Sequence, residues 1–90
     1  MKMPEYCGSI EYSILQFIFS LTDEIREKIE QKKLFYREQI IRFTNKQIDF
    51  FFSGFPATPA LLAVYKNEVN NSVMFKINYL LKEYHILQCV

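Results

Sequence analysis

His85 and Cys89 stand four residues apart, a spacing that puts two side chains on one face of a helix, and Cys7 could in principle join them. Zinc-type sites take three or four ligands at ordered spacing. Here the third ligand stands at the opposite end of the chain, so His85 and Cys89 are read as structural and no metal is expected. His85 is the single histidine, with no Ser or Asp at a telling distance, which leaves a nucleophile without a base. Gly8 and Gly54 are the only glycines, too few for a phosphate-cradling loop. The acids between Asp23 and Glu30 interleave with Arg26 and Lys28, the pattern of a solvated helix face rather than of a paired general acid and base. No catalytic residue, no cofactor and no enzymatic activity follow from these side chains. The chemistry expected of the chain is binding.

Composition sets the outer limits. Ninety residues make one modest domain, and half of them are hydrophobic, with nine Phe and six Tyr, so a disordered chain is not expected. That much apolar surface favours a partner or a homodimer. A net charge of +1 gives no overall pull toward nucleic acid or membrane. Two cysteines, one near each end, suit a reducing cytoplasm better than a disulfide scaffold. The greasiest run, Ile14 to Leu21, is interrupted by Gln16 and Ser20 and is far short of a membrane span. Glu5 and Glu11 against a lone Lys2 are wrong for an export signal. A cytoplasmic protein is the expectation.

The fold class expected is all-α: a long N-terminal helical region over 9–53, then a C-terminal helix-turn-helix over 58–87, with 1–8 as a lead-in. Thr58 before Pro59 is a helix entrance, the hydroxyl accepting a free amide and the proline sitting where its missing N–H costs nothing. Leu61, Leu62, Val64 and Tyr65 supply an apolar face. Asn67, Asn70 and Asn71 then read as a polar elbow, because Asn tolerates a left-handed turn. Beyond it Val73, Ile77, Leu80, Leu81 and Tyr84 fall at helical spacing and form a core stripe.

The N-terminal region reads less sharply. Ser9 can cap a helix along which Ile10, Ile14, Phe17, Ile18 and Leu21 share a side, although their β-branched and aromatic content also allows a strand, and Ser20 with Asp23 offers a second start. Ile29, Tyr36, Phe43 and Phe50 then recur every seven residues with no Gly or Pro between Asp23 and Phe52. One rod over that stretch would be roughly 45 Å long. A break near 43–45, with Thr44 capping a new helix, or a second copy alongside, relieves the exposure. Phe50-Phe51-Phe52 and Phe55 are read as a cluster closing the core beneath a loop, with at least one Phe exposed, since a helix cannot turn three consecutive residues inward.

Thr44, Gln47, Ile48, then Thr58 with Leu62-Ala63, then Ser72-Val73, Ile77, Leu80 and Ile86 together resemble the winged helix-turn-helix core of the MarR class of regulators, over about Phe43 to Leu87. The interval from Ala63 to Val73 equals the usual interval of that family. Lys66, Glu68, Phe75 and Tyr84 depart from its pattern, and no wing follows Leu87. The resemblance implies a duplex-DNA-binding regulator acting as a homodimer. It puts Asn71, Ser72, Lys76, Asn78 and Lys82 against DNA, and the dimer interface on Ile14, Phe17, Ile18, Ile25, Ile29 and Tyr36. From Thr58 onward, however, three lysines face two glutamates, which supports little phosphate neutralisation per subunit. The other reading is a small all-helical protein–protein interaction factor, such as a phage-type inhibitor, immunity protein or antitoxin, with no DNA binding.

Overall fold

The computed structural model describes residues 8–86, with side chains from Ile10 onward. The lead-in before Gly8, the capping side chain of Ser9, Cys7, Leu87 and Cys89 lie outside the described residues. Three helices fill the rest: α1 (Gly8–Glu30), α2 (Arg37–Ser53) and α3 (Pro59–Glu83). Each packs on the other two, and no strand occurs among the described residues. None of the three helices is long and apolar enough to cross a membrane.

The core is one stripe from each helix. Ile14, Ile18, Leu21, Ile25 and Ile29 come from α1, Ile40, Thr44, Ile48 and Phe52 from α2, and Val69, Val73, Ile77, Leu80 and Leu81 from α3. Steps of three and four residues keep each set on one side of its helix. Arg26 meets Glu83 near the C-terminal ends of α1 and α3, while Ile14 and Leu15 share a hollow with Tyr65 and Val69 nearer their N-termini. α1 and α3 therefore run parallel and in contact, and α2 runs antiparallel against both.

Two expected breaks are corrected. The region over 9–53 is interrupted once, at residues 31–36. At 20–23 α1 continues, because Ile18, Leu21 and Ile25 carry the buried stripe straight through. Thr44 does not cap a helix. It is fully buried inside α2, and its hydroxyl donates to the Ile40 carbonyl at 2.7 Å.

The real stop after α1 is a backbone device. Lys32 has φ 64°, the Lys33 amide donates to Lys28 O at 2.8 Å, and the Lys32 amide donates to Ile29 O at 3.1 Å. That is the Schellman arrangement, with lysine where glycine is usual. The Gln39 side chain then accepts from the Phe35 and Tyr36 amides at 2.7 and 3.1 Å, which starts α2 as half of a capping box. α3 ends the same way as α1: His85 has φ 55°, and the Ile86 amide donates to Leu81 O at 2.9 Å.

The C-terminal helix-turn-helix is also corrected. Pro59–Glu83 is a single 25-residue helix, entered as expected through Thr58, whose hydroxyl accepts from the Leu61 amide at 3.3 Å. No elbow forms at Asn67–Ser72. Val69 and Val73, one turn apart and both buried, lock the register across it. The asparagines cost a few tenths of a kcal/mol each in a helix, about 0.5 at most, far less than unburying two valines at about 1.5 kcal/mol or more apiece.

At the end where α2 stops, Phe51 stacks on Phe17 with ring centres 4.1 Å apart, and Phe55 packs on Phe52 and Tyr65. Phe52 is buried and Phe50 is 80% exposed, so the triple Phe divides as expected.

Candidate functional site

With the core stripes assigned, a second apolar stripe remains on the outside. Along α1, Tyr12, Leu15 and Phe19 follow one another at three- and four-residue steps, and all are exposed. On α3, Phe75 and Tyr79 are one turn apart and are 78% and 65% exposed. Phe75, Lys76 and Tyr79 line one shallow hollow with Thr22 and Arg26 of α1. The Lys76 ammonium lies 5.3 Å from the centre of the Phe19 ring. These residues therefore form one continuous face along the seam of the parallel helices. Each aromatic presents on the order of 100 Å² or more, which brings the face to several hundred Å², the size that on a small protein marks an interaction surface.

The C-terminal end of the seam is tied down by polar contacts. Arg26 donates to Glu83 at 2.9 Å and to the Tyr84 hydroxyl at 3.3 Å, and that hydroxyl donates to Glu30 at 2.5 Å. The bond to Glu30 holds the Tyr84 phenol above its usual pKa, with desolvation adding to it, because the neutral form is the donor. The bond to Glu83 and then that to Tyr84 push the Arg26 guanidinium up. The group closes the seam and joins the last turns of α1 and α3.

The residues expected to touch DNA divide between two faces. Asn71, Asn78 and Lys82 fall on one exposed ridge of α3 that also carries Phe75, while Ser72 and Lys76 sit on the α1 side. No helix start surrounds Asn71 and Ser72, which lie in the middle of α3. The expected dimer interface is corrected: Ile14, Ile18, Ile25 and Ile29 are buried in the chain's own core, and Phe17 is stacked on Phe51. Only Tyr36, 39% exposed at the entrance of α2, remains on the surface.

Sequence reasoning missed Leu15, Phe19, Phe75 and Tyr79 as a set. The available signal was a second spacing: once Ile14, Ile18 and Leu21 are assigned inward, Leu15 and Phe19 cannot follow them. Among the described residues no three His, Cys, Asp or Glu side chains converge on one point. Ser20, Asp23, Glu24, Arg26, Glu27 and Glu30 line an open depression without the apolar walls of a small-molecule pocket. No family model, curated protein or solved structure matches the chain significantly.

Proposed function

We propose that this chain is a small helical protein-interaction factor, in the manner of an inhibitor, immunity protein or antitoxin, that docks through the α1–α3 face. The observation that carries this reading is the joint exposure of Phe19, Phe75 and Tyr79 on one surface while the core beneath them is complete. Aromatic anchors set in a rim of polar groups are the usual substance of protein hot spots. The cations of α3 are poorly disposed for phosphate: Lys66 is paired with Asp49 at 3.3 Å and Lys76 rests on Phe19.

One observation favours DNA binding as a second reading. Asn71, Asn78 and Lys82 share an exposed ridge on a helix long enough to lie in a major groove. Purification of the tagged protein from its native cell tests the first reading. A partner should be retained by the wild type and by Phe50→Ser, and lost by the double variant Phe75→Ser, Tyr79→Ser. A duplex gel shift at low salt that disappears in Lys82→Glu would favour the second.

A further inference from the structure

We infer that the partner presented to the α1–α3 face is a basic amphipathic helix, an inference that rests on the docking role proposed for that face. The net charge of +1 conceals a strong segregation. Around the aromatic stripe stand Glu11 and Glu68 at one end, and Asp23, one turn beyond Phe19, and Glu30 toward the other. Only Lys76 and Lys82 oppose them, since Arg26 and Glu83 neutralise one another. The bases gather elsewhere: Lys32 and Lys33 in the α1–α2 connection, Arg37, Arg42 and Lys46 on α2, and Lys28 over the Phe43 ring.

The seam between two parallel helices has the form of a shallow groove. A third helix laid in it would bury an apolar stripe against Leu15, Phe19, Phe75 and Tyr79, and its flanks would meet carboxylates at both ends. Lysine or arginine on those flanks is favoured and acid is disfavoured. The same pattern argues against a second copy as the occupant. A twofold antiparallel pairing brings Glu11 and Glu68 toward the partner's acidic end, and a parallel one sets each acid near its own counterpart.

Three synthetic 18-residue helices, each about 27 Å long, with one identical leucine face, provide the test. Their polar faces carry lysine, glutamine or glutamate, and each peptide contains a single tryptophan. The protein has no tryptophan, so peptide fluorescence reports binding directly. The lysine peptide should bind roughly tenfold or more tighter than the glutamate peptide at low salt, with the gap narrowing at high salt. Phe75→Ser should weaken lysine-peptide binding and Phe50→Ser should not, and circular dichroism confirms that both variants fold. The charge reversal Asp23→Lys, Glu68→Lys should shrink the preference. Equal binding of all three peptides, abolished by Phe75→Ser, would overturn the basic-partner inference and leave the docking face standing. Lysine-peptide binding indifferent to Phe75→Ser, or no binding by any peptide, would overturn the inference and remove support from the face itself. A dimer by light scattering that Phe75→Ser dissolves would assign the face to a second copy and overturn the inference.

Discussion

The ammonium of Lys76 lies 5.3 Å from the centre of the Phe19 ring, a bridge between α3 and α1 in the middle of the exposed aromatic face. The contact occupies a lysine that a helix-turn-helix would aim at DNA and keeps the Phe19 ring against the seam. It should be worth about 0.5 kcal/mol, as for cations over rings at exposed sites. A double-mutant cycle with Lys76→Met and Phe19→Leu, read by urea unfolding, should return a coupling of that size. Strict additivity would mean the two side chains do not meet in solution.

Neighbouring positions on α3 should differ sharply in what truncation costs. Ile77 is fully buried, and Ile77→Ala should cost about 2–5 kcal/mol, enough to unfold much of so small a domain. Phe75→Ser, two residues away and mostly exposed, should stay within about 0.5–1 kcal/mol. Thermal melts of the two variants check this. A larger loss from Phe75→Ser would place that ring in the core.

The unbroken course of α3 predicts the sign of the asparagine substitutions. Asn70→Ala and Asn71→Ala should each stabilise by a few tenths of a kcal/mol, up to about 0.5, because alanine is the better helix former. Asn71→Pro should cost about 3 kcal/mol or more. A turn at this point would reverse the first result, since alanine tolerates a left-handed residue less well than asparagine.

Lys32 and His85 both hold the left-handed conformation that ends a helix. Lys32→Gly and His85→Gly should therefore each raise stability by about 0.5–1 kcal/mol, whereas Gly elsewhere in a helix lowers it. Denaturant midpoints would measure both effects.

Tyr84 gives a pH dependence with a definite sign. Its folded-state pKa is raised by the bond to Glu30, so its contribution to stability is fully present below pH 10, the ordinary value for the phenol. It is lost as pH rises through the higher folded value. The wild type should lose stability on going above pH 10, and Tyr84→Phe, which cannot ionise, should have a flatter alkaline limb.

The all-α class, the Thr58-Pro59 entrance and the inward stripe of Val73, Ile77 and Leu80 were legible because hydrophobic spacing and caps are local signals. The breaks were not. The stop at Lys32 uses a backbone conformation that lysine does not advertise, and the seven-residue recurrence of Ile29, Tyr36, Phe43 and Phe50 masked the four-residue stripe from Ile40 to Phe52. Asn67, Asn70 and Asn71 resemble a turn by local propensity, which does not register that Val69 and Val73 are buried on one face across them. The exposed face escaped for a related reason: residue types alone do not say which of two apolar stripes is left over when three helices close on one another.

The most direct test maps the backbone amide resonances of the labelled protein as the lysine-faced peptide is added. Shifts concentrated around Leu15, Phe19, Phe75 and Tyr79, with the Phe50 side of α2 unchanged, are the predicted result. Shifts confined to α2, or none at saturating peptide, would contradict it.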